Sequence, residues 1–289
     1  MIKIMKAIQN TASDLIYRVI SQNIDPIGIY CFAQKKSSYT FNEPFQKPAQ
    51  KEKHVHLYLL VIAEEFEDNI GNDLTDKIKS RSRGQVTVTI LMHTVRNIVK
   101  LYGDQQYFFW NIFKNAQRIH IDAGRSPIIW NKNPEKRYVK STSAYAGDRK
   151  NVSESIWDLI YNNDQYFSYE VRMCCLHQIV EQTCLSLIRV FLGYTPNHFS
   201  LGYLFELCEY FTNLTSEYFP RNSSDEKNMF KILKKNPNTL RFSRTNSFCY
   251  DYYGIMEKRC RDFMKEAEAM IQKELERLEE IHQQEALST

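Results

Sequence analysis

The sequence predicts an α+β protein in which a small domain with a mixed sheet is followed by an all-helical bundle. Strand patterns alternate with helical patterns up to about residue 122, and strand patterns disappear from about residue 152 onwards. A polar, basic stretch without periodicity lies between these two regions. We therefore expect an α/β domain over 1–125, a linker over 126–151 and a helical bundle over 152–289.

The small domain is predicted to begin with a helix. Apolar residues at three- and four-residue steps predict an amphipathic helix over 3–21, and the β-formers of IGIYCF predict a strand over 27–32. The polar segment 33–53 is typical of a long loop. The apolar run HVHLYLLVIA then predicts a buried strand over 54–63.

The rest of the small domain repeats the alternation of helix and strand. Residues 64–80 have one apolar face, with acids at the start and bases at the end, as the helix dipole favours. Alternating residues predict a strand over 85–93. A helix with a break at Gly103 is expected over 94–117, and RIHID predicts a last short strand over 118–122.

The second half of the chain shows helical patterns only. The stretch YEVRMCCLHQIVEQTCLSLIRVFLG carries a long apolar stripe, and Gly193 and Pro196 are expected to end that helix. Ser200 is a candidate cap for the next helix, and further helices are predicted over 225–235 and 251–284. The last helix has a heptad-like stripe, which packs within its own bundle or forms a seam between two copies of the chain. Packing within the bundle is the commoner arrangement.

Composition and charge narrow the class of protein. The chain has 289 residues, 43% of them hydrophobic, and its net charge of +4 permits an anionic partner without requiring one. No run of about 18 apolar residues occurs, and the first residues lack a signal-peptide core, so we expect a cytoplasmic protein without a membrane span. The seven cysteines have neither CxxC nor paired-His spacing, which predicts reduced thiols, no metal site and no cofactor.

Three polar rings stand at the entrance of the predicted strand 54–63. Side chains at alternate positions of a strand share a face, so His54, His56 and Tyr58 should point the same way. One interpretation is that they line a cleft and hydrogen-bond a phosphate or a base. The other is that they line a strand edge and satisfy polar groups of the neighbouring segment 34–53.

The elements around these rings resemble the polymerase-β superfamily of nucleotidyltransferases. In that family one strand ends in Gly-Ser, the next reads D-x-D-L-L-V, and a neighbouring strand adds a third carboxylate, so that Mg²⁺ ions can hold a triphosphate. In IYCFAQ, Ala33 and Gln34 replace the Gly and the Ser. In HLYLLV, His56 and Tyr58 replace the two acids, and VTVTILMH offers Thr87 and no acid. The resemblance implies a nucleotidyltransferase-like domain without its metal ions, because imidazole and phenol are poor Mg²⁺ ligands.

The helical half resembles HEPN domains. Their pattern is a helix of the type Q-x-x-E-x-x-L-x-x-L, followed by Gly, a Pro-containing turn and a further helix. HQIVEQTCLSLIRVFLGYTPNHFSLGYLFELC fits this pattern through Gln178, Glu181, Gly193 and Pro196. The two resemblances together cover nearly the whole chain. They imply a homodimer through the helical domain and a setting in toxin–antitoxin or defence systems.

Some HEPN domains are metal-independent ribonucleases with an R-x(4–6)-H motif, in which the His acts in acid–base cleavage. The literal match here is Arg172 to His177, and His198 lies one place before the position at which the family often has a His. Five helical residues rotate by roughly 140°, which places Arg172 and His177 on different faces of their helix. Active members also have the motif on a later helix, so we do not favour this pair as a catalytic site.

Cations and aromatic residues are interleaved along 227–250, which contains six Lys and Arg and neither Asp nor Glu. This arrangement is typical of a surface that contacts phosphates and bases. The alternative is a solvated basic face over core aromatic residues. The candidates for phosphate binding are Lys234, Lys235, Arg241 and Arg244.

We expect a non-catalytic protein that binds a nucleotide or an RNA phosphate across the cleft between its two domains. A metal-independent ribonuclease is the alternative from the class of enzymes. A scaffold that binds only other proteins is the third hypothesis.

Overall fold

The computed structural model describes residues 2–40, 51–101, 103–125, 137, 139–162, 168–235 and 250–287. The chain divides into two compact units, an N-terminal unit over 1–136 and a helical unit over 137–289. The first contains a four-stranded mixed sheet with helices, and the described part of the second is helical. The predicted α+β class is therefore confirmed.

The mixed sheet forms the centre of the N-terminal unit. Its strands are β1 (Pro26–Thr40), β2 (Lys51–Ala63), β3 (Val86–Thr94) and β4 (Gln117–Ile121), in the spatial order β3-β2-β1-β4. The helices are α1 (Ile2–Ser21), α2 (Ile70–Arg81), α3 (Val95–Lys100) and α4 (Gly103–Asn115). β1 pairs antiparallel with both β2 and β4, whereas β2 and β3 run parallel because α2 crosses over between them.

Both faces of this sheet carry apolar side chains. On one face, Leu59 and Val61 of β2 belong to a buried cluster with Ile16 of α1 and Leu74 of α2. On the other face, the aromatic residues of α4 cover the sheet, and the ring of Phe108 lies 5.9 Å from that of Phe32. Burial on both sides explains why β2 reads as an almost continuous apolar run after residue 58.

Two predictions for this unit were wrong in their bounds. The segment 33–53, expected as a loop, instead extends the β1–β2 hairpin, since β1 reaches Thr40 and β2 begins at Lys51. Its polar side chains are exposed where they are described, so no apolar alternation marks the strand in the sequence. The helix expected over 64–80 begins only at Ile70.

The described part of the helical unit contains α5 (Val139–Asn162), α6 (Tyr169–Leu192), α7 (Leu201–Cys208), α8 (Leu214–Tyr218), α9 (Ser224–Leu233) and α10 (Tyr250–Leu287). α6 is buried on most of its circumference and lies at the centre of the bundle. It ends at Gly193, whose φ of 68° lies in the left-handed region that favours glycine, as the sequence predicts. The rings of Phe205, Phe219 and Phe263 pack together in the core.

The linker expected over 126–151 is wrong for residues 139–151, which form the first half of α5. This half buries small side chains, Thr142 and Ala146, rather than a stripe of large apolar residues. Because a helix face of this kind lacks a strong apolar period, it resembles a polar linker in the sequence.

The heptad-like stripe of α10 packs largely within the helical unit. Met256, Cys260, Phe263 and Ala267 are buried, whereas Ile281 near the end of the helix is 39% exposed. A seam between two copies of the chain stays a prediction. Every helix in the described ranges is too short or too polar to cross a bilayer.

Candidate functional site

The polar rings of β2 meet hydroxyl groups of the neighbouring strands. In the parallel pairing of β2 with β3, His56 lies opposite Thr87 and Tyr58 lies opposite Thr89. On the other side of β2, the hairpin brings Ser37 of β1 opposite His54. His54, His56 and Tyr58 therefore share one face of the sheet, as the alternation in the sequence predicts.

Five of these side chains form a continuous chain of hydrogen bonds, which we call the His–Thr ladder: Ser37, His54, Thr87, His56 and Thr89. Ser37 Oγ lies 3.1 Å from His54 Nδ1, and His54 Nε2 lies 2.9 Å from Thr87 Oγ1. Thr87 Oγ1 lies 2.8 Å from His56 Nδ1, and His56 Nε2 lies 3.0 Å from Thr89 Oγ1. Each imidazole thus has both of its nitrogens occupied by a hydroxyl group.

The ladder is satisfied when both imidazoles are neutral. A neutral imidazole has one donor and one acceptor, and each hydroxyl donates one hydrogen, so all the bonds can run in one direction along the chain. A protonated His56 would donate from both nitrogens, and the hydroxyl of Thr87 would then donate to His54 Nε2. The hydrogen bonds can therefore form in either protonation state of His56, and the electrostatic environment decides its charge.

The electrostatic environment favours the uncharged form of both rings. Burial first, and then the charges of the nearby His54 and Lys35, lower the pKa of His56 to about 4. The pKa of His54 is also lowered, by burial first and then by the charge of Lys79. Both rings are therefore uncharged at neutral pH.

One end of the ladder is closed by the core. Tyr58 and Thr89 are each only 1% exposed, and the ring of Tyr58 lies 6.0 Å from that of Phe32. His54 is partly exposed, and Ser37 at the other end is exposed. Among the described residues, the ladder is therefore accessible at the end formed by Ser37 and His54.

Ala33 and Gln34, which replace the Gly-Ser pair of the nucleotidyltransferase pattern, lie on opposite faces of the sheet. Ala33 lies opposite Tyr58, on the face of the ladder, after a bulge in β1. Gln34 is exposed and lies opposite Leu57, whose side chain belongs to the core on the other face. Lys35 and Ser37 also face the ladder, but they are not predicted as site residues because their polar segment resembles a loop in the sequence. The alternation of K, S and Y at every second residue from 35 to 39 was the only available signal.

The ladder contains no carboxylate, and in the described ranges no three His, Cys, Asp or Glu side chains are grouped so that they could hold a metal ion. The positions that the nucleotidyltransferase resemblance assigns to metal ligands are occupied by imidazole, phenol and hydroxyl groups. These groups are poor ligands for Mg²⁺, which prefers charged oxygen.

In the helical unit, Arg172 and His177 have different surroundings. The guanidinium of Arg172 stacks on the rings of Tyr169 and Tyr253, at 5.5 and 5.4 Å from their centroids. His177 is only 3% exposed, and its Nδ1 lies 2.8 Å from the carbonyl oxygen of Leu233. We find no arrangement in which this pair would act on a common phosphate.

The other candidates lie at the ends of α7 and α9. His198 Nε2 lies 2.9 Å from the hydroxyl of Ser200, so Ser200 precedes α7 as predicted but does not cap it with its side chain. Lys234 and Lys235 are exposed directly after α9. Arg241 and Arg244 lie outside the described residues.

No protein-family model matches the chain, and no curated protein is significantly similar to it. The resemblance to nucleotidyltransferases and HEPN domains therefore stays a prediction.

Proposed function

We propose that this chain is a nucleotide- or RNA-binding protein of the nucleotidyltransferase/HEPN type that does not catalyse metal-dependent nucleotidyl transfer. The observation that carries the proposal is the hydrogen bond of 2.8 Å between His56 and Thr87. These two residues stand where the resemblance expects carboxylates on adjacent strands, and they bind each other instead of a metal ion.

The loss of charge decides the catalytic part of the proposal. Two Mg²⁺ ions need several anionic oxygens in one place, and the ladder presents neutral groups whose hydrogen-bonding atoms are already used. Without bound metal ions, the negative charge that develops on a transferred phosphoryl group has no counter-charge at this site. A site of this kind is consistent with binding of a nucleotide or RNA, but not with metal-dependent nucleotidyl transfer.

The binding part rests on the exposed cations at the end of α9. Lys234 Nζ lies 4.9 Å from the centroid of Phe230, which holds this cation at the end of α9. The exposed Lys235 adds a second cation beside it, whereas Arg221, which also lies 4.9 Å from the ring of Phe230, is ion-paired with Glu209. Closely spaced cations on a helical surface suit the phosphates of a nucleic acid strand.

A titration of fluorescein-labelled single-stranded RNA, read by anisotropy at several salt concentrations, tests this surface. The double variant Lys234→Ala/Lys235→Ala should bind more weakly, and the slope of log K against log salt should fall by about 1.4, since each phosphate contact on a single strand contributes about 0.7. Lys265→Ala/Lys273→Ala removes the same charge from exposed positions of α10 and is the matched control. Equal binding by the two double variants would contradict the assigned surface, and absence of RNA and nucleotide binding by the wild type would contradict the function.

A separate assay tests the catalytic part. Purified protein is incubated with Mg²⁺ and ATP labelled on the α-phosphate, together with RNA or protein acceptors. We expect no labelled acceptor, because the ladder offers no anion to bind the metal ions. Transfer of labelled AMP that disappears on addition of EDTA would refute the proposal.

A further inference from the structure

The helical unit contains a cavity that neither the sequence patterns nor the proposed function assigns. It has a volume of about 170 Å³ and lies between α5, α6 and α10. We propose that this cavity binds a small carboxylate with a short apolar chain, which Arg149 recognises through its guanidinium group. The inference is independent of nucleotide or RNA binding.

One side of the cavity is polar and buried. Gln182, Thr183 and Ser186 of α6 line it and are between 4% and 8% exposed. The hydroxyl of Thr183 donates to the carbonyl oxygen of Ile179 within its own helix. These side chains give the cavity a polar wall, which suits a ligand that carries a polar group.

Arg149 supplies the recognition group. Its Nη1 donates to Gln182 Oε1 at 2.9 Å, and its guanidinium stacks on the ring of Tyr145 at 5.2 Å. Its Nε is buried and has no hydrogen-bond partner among the described residues. A carboxylate that accepted from Nε and from the neighbouring Nη2 would satisfy this buried donor with a two-bond geometry typical of Arg.

The guanidinium of Arg149 favours an anionic group at its own position in the cavity. Lys150 is paired with Glu268 and lies 3.7 Å from Glu154, so both carboxylates that line the cavity have a cation beside them. Arg149 has no carboxylate partner in the described part of the chain. Its positive charge therefore remains available for an anion.

The volume of the cavity and its apolar wall, which faces the polar side chains of α6, indicate a ligand with a short apolar chain. Met264, Ile271 and Leu275 give the cavity an apolar side. Its volume equals that of about five or six water molecules and lies below the roughly 300 Å³ at which pockets for drug-sized ligands begin. A mononucleotide is too large, whereas a carboxylate of about four carbon atoms such as butyrate is compatible with both walls.

Isothermal titration of the full chain with sodium butyrate tests the inference, with n-butylamine as the control for charge. Gly147 lines the cavity, and a Cβ at this position or at the exposed Gly254 of α10 would meet nothing within 4 Å. Gly147→Leu therefore fills the cavity, and Gly254→Leu is the matched control in another helix. Arg149→Gln removes the guanidinium without a side chain entering the space.

We expect butyrate to bind the wild type and Gly254→Leu with equal affinity, and n-butylamine to bind neither. Gly147→Leu and Arg149→Gln should each weaken butyrate binding by about tenfold or more, as loss of a charge-assisted hydrogen-bond pair implies. If Gly147→Leu fails to fold, as judged by circular dichroism, Arg149→Gln decides. Absence of butyrate binding to the wild type, or wild-type affinity in a folded variant of either kind, would overturn the inference.

Discussion

Acidification should destabilise the N-terminal unit through two histidines that are uncharged in the folded state. Burial lowers the pKa of His56 to about 4, and burial likewise lowers the pKa of His93 in β3 to about 4. In the unfolded chain both rings titrate near their ordinary pKa of about 6.5. The unfolded state therefore binds more protons than the folded state between pH 6.5 and pH 4, and the stability of the unit must fall as the pH decreases through this window.

The size of the effect follows from the same values. The pKa of His56 differs by about 2.5 between the unfolded and the folded state, which corresponds to about 3 kcal/mol of the free energy of unfolding once the ring is protonated in both states. About 2 kcal/mol of this stability is lost between pH 7 and pH 5. His93 adds about the same amount over the same interval. The total of about 4 kcal/mol is a large fraction of the free energy of unfolding of a typical domain, which is roughly 5–15 kcal/mol.

The measurement has to report on the sheet and not on the helical unit. Urea unfolding at pH 7 and at pH 5, followed by hydrogen-exchange mass spectrometry of peptides from β2 and β3, gives the free energy of unfolding of this part of the chain. His56→Gln keeps a donor and an acceptor but cannot be protonated, so the loss of stability between the two pH values should be halved. His282→Gln, on an exposed part of α10, is the control and should behave as the wild type.

Two outcomes would contradict the low pKa values of the buried histidines. If the stability of the sheet is the same at pH 7 and pH 5, the rings are not held in the neutral state. If His56→Gln loses as much stability as the wild type, the ladder does not contribute to the pH dependence, and the loss has to come from other groups.

Three further predictions concern the helical unit. Ser223→Ala removes the capping box that Ser223 forms with Glu226 at the start of α9, and should lower the free energy of unfolding by about 1 kcal/mol in urea titrations. His177→Leu leaves the carbonyl oxygen of Leu233 without its buried donor and should cost about 1–3 kcal/mol in the same assay, with no change in RNA integrity on incubation. Phe205→Ala opens a cavity among the aromatic core residues and should cost about 3–5 kcal/mol, visible as a lower unfolding temperature.

The parts of the fold that the sequence predicts correctly are those with a strong apolar period. The long apolar run of β2 and the stripes of α6 and α10 are visible in the sequence because large side chains repeat toward one core. The extension of β1 and the first half of α5 are not visible. The former places polar side chains in solvent, and the latter buries small ones, so neither carries the pattern on which sequence reasoning depends.

The sequence predicts which side chains of the candidate site share a face of the sheet, but it does not predict their hydrogen-bond partners. Alternation along β2 places His54 and His56 on one face, and this follows from the geometry of any strand. Their partners depend on the register between β2 and β3, which sets Thr87 between the two rings. Register is fixed by packing over the whole sheet and cannot be read from one strand. The cavity beside Arg149 escaped prediction because it depends on three helices meeting.

The ladder also determines where an anion can bind in this chain. A phosphate in contact with the ladder would favour a protonated imidazole, yet burial lowers the pKa of His56 to about 4 and so disfavours its protonation. Binding a phosphate there would therefore work against the low pKa of His56, at a cost that the partly exposed His54 alone would have to offset. The exposed lysines after α9 carry their charge without such a penalty. For this reason the proposed phosphate binding is better placed at the lysines of the helical unit, and we expect a structural role for the ladder, although the ladder occupies the position that resembles a catalytic site.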